Sequence, residues 1–326
     1  MWRKVLILVT LLVGNIFLIY PVLGAEYPVR PIEIYAPYSA GGPIDLMSRW
    51  VGEIAPKYLG QPVVVVNKIG AAGSAAAAEV ISSKPDGYKL YVTSQFFFAM
   101  TTKTQKVPFD PGQLTPLANL MQLVDGICVR GDAPWKTFND LLEYAKKNPR
   151  KLSWAHSGRG MVGHVSILLL FRKAGAETLD VPYKGPAEKL AALLGGHVDA
   201  ASLNYATCAD HIKAGKVRFL IFNTDRRYTQ YEVSNVPTTV ELGYADVAKL
   251  TPYIGFYIHK DTPEEVRRTL FDTFKKTYED PAFKKGIEKI GDQPRFDGPE
   301  FMKESIKKGE EIALPMLKEL GLYVEK

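Results

Sequence analysis

Cysteine is nearly absent from this chain: Cys128 and Cys208 are its only two, eighty residues apart. No two-residue Cys step and no matching histidine set accompany them, so they do not read as a zinc site, while a disulfide and two buried thiols both stay open. Histidine is scarce as well, with five in all. His156 and His164 stand eight residues apart across a loop, not at the spacing of a helical ligand pair. Charge of one sign is also lacking. Formal net charge is +6, from 41 basic and 35 acidic residues, and doublets such as Lys146-Lys147 and Lys307-Lys308 lie among acidic neighbours, as on a solvated helix face. A nucleic-acid partner would want a concentrated basic stripe interleaved with aromatics. The sequence has neither, and none is expected.

Long apolar runs are confined to the start. Arg3 and Lys4 precede an apolar stretch over residues 5–23, interrupted by Asn15 and Pro21 and ending in the small residues Gly24 and Ala25. That order of charge, apolar run and small residues predicts a secretory signal peptide over residues 1–24, removed on export to the periplasm. No Cys stands at the junction, so no lipid anchor is indicated. The remaining chain, about 300 residues with no second run of membrane length, has room for two domains.

From residue 30 onward, strand-like and helix-like segments alternate. Strands are predicted at 32–35, 63–66, 90–93, 127–129, 152–155, 178–181, 200–203, 217–222 and 253–258, with helices at 44–58, 74–82, 138–146, 165–174, 187–195 and 208–214 between them. Such alternation predicts an α/β protein with parallel sheet and helices on both faces. After residue 258 only helices are expected, the first opening with Pro263 at N1 behind Thr262 as its cap.

The stretch Gly158-x-Gly160-x-x-Gly163, with Asp180 twenty residues beyond Gly160, has the form of a dinucleotide fingerprint. Its context is wrong for one, since it lies mid-chain in an exported protein, and Asp180 runs straight into Val181-Pro182 as the end of a strand would. It also has two relatives. "PYSAGGPID" over residues 37–45 and "NKIGAAGSAAAAEV" over residues 67–80 are likewise a strand end, a glycine turn and a helix start. Each offers free N–H groups and the positive end of a helix dipole. Ligands of open α/β sheets bind beyond the carboxyl ends of the strands, so three such loops facing one crevice make an anion clamp.

A hydrolase built on Ser157, His156 and Asp180 is disfavoured, because a nucleophile elbow needs Gly-x-Ser-x-Gly and Ala155-His156 precede this serine. No other nucleophile, base and orienter assemble, so no enzyme and no cofactor are expected. Arg159 reads either as a counter-charge for a second ligand carboxylate or as a solvated loop residue. Tyr38, Phe96 to Phe98 and Trp154 read either as an aromatic wall or as core.

Several stretches together resemble the solute-binding receptors of tripartite tricarboxylate transporters, the Bug-type periplasmic proteins. They are "YPVRPIEIYAPYSAGGPID" from Tyr27, "PVVVVNKIGAAGSAAAAEVISSKPDGYKLYVTS" from Pro62, "VPYKGPAEKLAALLGGHVDA" from Val181, "IKAGKVRFLIF" from Ile212 and "NVPTTVELGY" from Asn235. The resemblance implies a two-lobed fold of the type II periplasmic-binding-protein class with Rossmann-like lobes: residues 25–125 with 253–326 in one, 126–252 in the other. It implies a small carboxylate held in the cleft, delivered by a monomer to the permease subunits of such a transporter. By position, ligand contacts fall on Tyr38, Ser39, Ala40 and Gly41, on Ala71, Ala72, Gly73 and Ser74, on Ser94, and on Ser157, Gly158, Arg159 and Gly160, with His164 and Asn204 near by. Asp45 matches the family's aspartate and is expected to brace the first loop or to receive a ligand amine. Ile69, the segment from Ala201, and Arg159 depart from the family pattern.

Overall fold

The computed structural model describes residues 27–229 and 231–325; the expected leader, residues 1–24, lies outside them. Eleven strands fall into two sheets among the described residues. The first sheet has the order β2 (Val63–Asn67), β1 (Ile32–Ala36), β3 (Lys89–Ser94), β10 (Tyr253–His259), β4 (Leu114–Gln122), β11 (Gln293–Asp297). The second has the order β7 (Leu179–Pro182), β6 (Ser153–His156), β8 (Ala200–Asn204), β5 (Asp125–Arg130), β9 (Val217–Phe222). The protein is α/β and two-lobed. Among the described residues nine helices of eight residues or more join or cover the strands: α1 (Pro43–Ile54), α2 (Ser74–Ile81), α3 (Phe138–Lys147), α4 (Val162–Lys173), α5 (Pro186–Leu194), α6 (Tyr205–Lys213), α7 (Glu264–Glu279), α8 (Pro281–Ile290) and α9 (Pro299–Glu319). No helix among the described residues is long and apolar enough to cross a membrane.

The sheets are mixed rather than parallel: the edge strand β11 runs antiparallel to β4, and the two reversed strands inside the sheets follow one rule. β10 runs antiparallel to β3 and β4, and β5 runs antiparallel to β8 and β9. Each is the strand by which the chain arrives from the other sheet, and each takes the fourth place in its own. Alternation of strands and helices cannot signal this, because the reversed strand has the same composition as its neighbours. β4 and β11 also went unseen in the sequence. β4 (LTPLANLMQ) is buried almost throughout and shows no two-residue alternation, while β11 (QPRFD) carries charge and a proline, which an edge strand tolerates.

Proline decides two helix ends. The helix predicted over 44–58 stops at Ile54 and restarts as a single turn at Pro56, because proline has no N–H for the ladder and clashes with the preceding turn. Pro263 takes the N-cap position of α7 instead of N1, and the Thr262 hydroxyl caps nothing. Of the aromatic wall, all but Tyr38 resolves as core, Tyr38 being 39% exposed. Phe96, Phe97, Phe98 and Trp154 are all buried, with the Trp154 indole N–H donating to Thr178 at 3.0 Å. Cys128 and Cys208 are buried, unbridged thiols packed in one apolar cluster.

The chain passes between the sheets twice, after β4 and again between β9 and β10, and the two passages are bonded to each other. Leu123 N–H donates to the Pro252 carbonyl at 3.0 Å and Asn223 N–H to the Asp125 carbonyl at 2.7 Å. The Gln95 side chain holds the second passage from the first sheet, donating to the Thr251 carbonyl and accepting from Tyr253 N–H, both at 2.8 Å. Arg295 on β11 fastens both passages at once. Its guanidinium donates to Gln122 at 3.0 Å and to Asp225 at 2.8 Å, reaches Asp297 at 2.8 Å, and lies against the rings of Tyr253 and Phe301.

Arg295→Met should therefore leave Asp297 and Asp225 without their cation in a largely buried joint. A loss of about 3 kcal/mol is expected, the lower end of the range for breaking a buried pair because Asp225 is partly solvated. Urea unfolding at constant slope measures it, and an unchanged midpoint would show that the clamp contributes nothing.

Candidate functional site

The carboxyl ends of β1, β2 and β3 are neighbours, and so are those of β6 and β8. The first glycine loop, residues 37–42, leads into α1, whose Pro43 stands at the helix start and whose N-terminus has no side-chain cap. Asp45, in the first turn and 1% exposed, shapes this loop from below. Its carboxylate accepts from Gly41 N–H at 2.8 Å, from Arg49 Nε and Nη2 at 2.9 and 3.0 Å, and from Asn67 Nδ2 at 2.8 Å. Burial works to raise its pKa, but Arg49, the Gly41 amide and Asn67 outweigh burial and hold it below the usual carboxylate range. Of the two roles expected for Asp45, the bonds fit the brace. Asn67 also donates to the Tyr38 carbonyl at 3.0 Å, tying the end of β2 to the first loop. Tyr38, Ser39, Ala40 and Gly41 are exposed at the lip above.

The second loop, residues 68–73, is strained where the first is merely tight. Ala71 and Ala72 have φ of 44° and 50°, a left-handed backbone that costs roughly 1–2 kcal/mol per non-glycine residue. Gly73, at φ +99°, could carry no side chain, since a Cβ there would stand 2.8 Å from the Tyr91 hydroxyl. Gln105 fastens the loop from outside, its Nε2 donating to the Ala71 carbonyl at 2.9 Å and to Ser74 Oγ at 3.1 Å. Ala71 and Ala72 are exposed just ahead of α2, which has no side-chain cap. Ser94, half-buried, ends β3 beside them.

The third loop, residues 157–161, is braced by two buried histidines on a half-buried acid. Gly158 N–H donates to His156 Nδ1 at 3.1 Å, and Gly160 N–H to His164 Nδ1 at 3.2 Å. Each Nδ1 is an acceptor, so the ring proton sits on Nε2. Both Nε2 atoms face one oxygen, Oδ2 of Asp180, at 3.2 and 3.5 Å, and Arg159 Nε stands 3.6 Å from the same atom. Burial first, and then His156, pushes the pKa of His164 down to about 4. Burial also lowers His156, while His164, Arg159 and His156 together overcome burial to lower Asp180.

Three ligand-type side chains thus meet within 4.8 Å, yet they do not fit a metal. A histidine ligating through Nε2 gives its Nδ1 proton to an acceptor, and here each Nδ1 receives a proton instead. Asp180 does not end its strand and reads no ribose. It is a strand residue of β7 whose partners are the two loop histidines.

The loops of the two sheets converge. Gln105 holds the second loop, and its neighbour Thr104 approaches the third, where a Cβ on Gly160 would meet the Thr104 methyl at 3.3 Å. Not every expected contact sits in the cleft. Asn204 Oδ1 caps α6 by accepting from Ala206 N–H at 2.8 Å, and its Nδ2 donates to Asp292 at 2.8 Å, so its side chain serves the hinge. His164, 1% exposed, has both ring nitrogens engaged beneath the loop. Arg159 remains 62% exposed. A surface groove of about 370 Å³, lined by Thr115, Arg267, Phe271 and Lys303 among others, contains no glycine-loop residue.

The histidine brace has a pH signature. His164 titrates near 6.5 when free and about 4 when folded, so on acidification through that window the unfolded chain takes the proton first and stability falls. His164→Asn keeps an acceptor for Gly160 and cannot titrate, so the drop in melting temperature between about pH 7 and about pH 5 should shrink in the variant. An equal drop in both proteins would remove His164 as its source.

Compared with known proteins, residues 47–321 match the family described as "Tripartite tricarboxylate transporter family receptor". The UPF0065 protein in the gbd 5' region of Cupriavidus necator is 33% identical over 302 residues, 91% of this chain and 89% of that relative. A solved structure of an R. palustris protein with adipate superimposes with TM-score 0.77 at 25% identity, covering 91% of this chain and 99% of that one. MatC from Rhodopseudomonas palustris with bound malate gives TM-score 0.70 at 26% identity, covering 88% and 100%. By this match over most of its length, and by its two lobes, the chain belongs to the tripartite tricarboxylate transporter receptor family, whose members are periplasmic solute-binding proteins and not enzymes.

Proposed function

We propose that this protein captures a small dicarboxylate between the first and second glycine loops on one side and the third on the other, and delivers it as a monomer to the permease subunits of a tripartite tricarboxylate transporter. The observation that carries this reading is the convergence of the loops on Thr104 and Gln105. Main-chain amides of the exposed Ser39, Ala40, Ala71 and Ala72, at two helix N-termini without side-chain caps, suit one carboxylate. Ser74, Ser94 and Ser157 add hydroxyls near by, and Gly158 and Gly160 shape the opposing loop.

A second carboxylate needs its own counter-charge, and Arg159 is the cation of the third loop. Adipate and malate, the solutes of two structural relatives, both carry two carboxylates. Asp45 and His164 act from behind the loops as positioning residues. The lobes, residues 25–125 with 253–326 and residues 126–252, close over the solute by rotation about the two chain passages.

Adipate and hexanoate differ only in the second carboxylate and form the test. Arg159→Ala should weaken adipate by about 1–2 kcal/mol, less than a buried ion pair because the arginine is 62% exposed before closure. Hexanoate should be held equally by wild type and variant. Equal losses for both would reduce Arg159 to shaping the loop and end the dicarboxylate reading.

A further inference from the structure

Behind the cleft, the hinge contains an acid that solute capture does not use. Asp292 lies between α8 and β11 and is 0% exposed. Its Oδ1 accepts from Val124 N–H in the first chain passage at 3.0 Å and from Asn204 Nδ2 at 2.8 Å. Its Oδ2 has no partner among the described residues. One carboxyl of the first sheet's edge thus holds both a chain passage and the residue that caps α6 in the second lobe. The Val124 peptide is engaged on both sides, because its carbonyl accepts from Tyr205 N–H at 2.9 Å.

The charges around this carboxyl are sparse and of both signs. Asp125 on β5 faces it, half-buried and itself raised in pKa by burial. Lys189 on α5 stands behind Asp125, buried, with its ammonium donating to the Ser202 carbonyl. From α6 come only Asn204 and Tyr205, whose ring lies against Gly291. On its own element are Glu288 and the exposed Lys289 in the last turn of α8. An unpartnered oxygen in a dry site costs far less on a neutral carboxyl than on a carboxylate. Burial, with a further push from Asp125, raises the Asp292 pKa to about 7, against the opposing bonds from Val124 and Asn204.

We propose that Asp292 is a positioning residue whose uncharged form latches the hinge: neutral, it ties Val124 and Asn204 to the edge of the first sheet; ionised, it adds a second negative charge beside Asp125, draws water into the joint and loosens the placement of the lobes. A static brace would hold equally well at every pH. A latch loses its grip as pH rises through neutrality, because the folded joint binds a proton that the hydrated joint gives up.

The test uses the full chain with no added solute. The Val124 amide and the Asn204 side-chain amide are followed by NMR from about pH 5 to about pH 9, and the radius of gyration is followed by solution scattering over the same range. Both amides should shift with one midpoint near neutrality, and the radius should be larger above it. Asp292→Asn keeps the Oδ1 acceptor and is neutral throughout, so it should abolish the titration and fix the smaller radius. Asp125→Asn removes the neighbouring charge and should move the midpoint down. A flat wild-type profile, a titration that survives Asp292→Asn, or a titration with constant radius would each overturn the latch. If Asp292→Asn does not fold, an unmoved midpoint in Asp125→Asn overturns it instead.

Discussion

Among the described residues the chain crosses between its two sheets twice, and the placement of the glycine loops depends on those crossings. Backbone bonds join one crossing to the other. The short edge segment from Asp292 to Asp297 then fastens both, through an arginine held between two aromatic rings and an acid buried beneath the α6 cap. A joint of this kind allows rotation but little sliding. Its bonds gather at the strand ends, so a displacement there reaches the far rim of the cleft with leverage.

Both halves of the site use the same physical device. A carboxylate lies behind each loop with its charge answered by neighbours: Asp45 by Arg49, Asn67 and the Gly41 amide, Asp180 by two imidazole N–H groups and Arg159. A bare carboxylate so close would repel an anion. Answered, it fixes loop geometry at little electrostatic cost. The second loop reaches the same end by backbone strain, with Gln105 in place of an acid.

The fold was legible wherever a local signal existed. Gly41-Gly42-Pro43 and the Asn67 to Ser74 segment announced a turn and a helix start. The nine predicted strands all exist, although two others, β4 and β11, were hidden by full burial in one case and by edge charge in the other. The braces were not legible. His156, His164 and Asp180 lie eight to twenty-four residues apart and meet only because β6 and β7 are parallel neighbours in register. The spacing that imitates a dinucleotide fingerprint is the length of one strand-helix-strand unit. Asp292 and Arg295 act on residues far away in the chain, and no periodicity reports a contact at that distance. Asn204 stood correctly at a strand end, but its side chain turned to a helix cap and to Asp292, a choice set by neighbours the sequence does not place.

The insertion of β10 between β3 and β4 orders events in time. A chain emerging from its N-terminus presents β3 and β4 with an empty place between them, which stays empty while the whole of the second sheet is made. That sheet, drawn entirely from β5 to β9, completes first although it comes second. The earlier half waits with two unpaired, largely apolar edges, a state prone to wrong pairing between chains. The native pairing of β10 with β3 is of high sequence separation and correspondingly slow. The C-terminal quarter of the chain is thus the closing piece of the N-terminal core, and the same interleaving that gives the receptor its two-stranded joint makes its first-made lobe the last to fold.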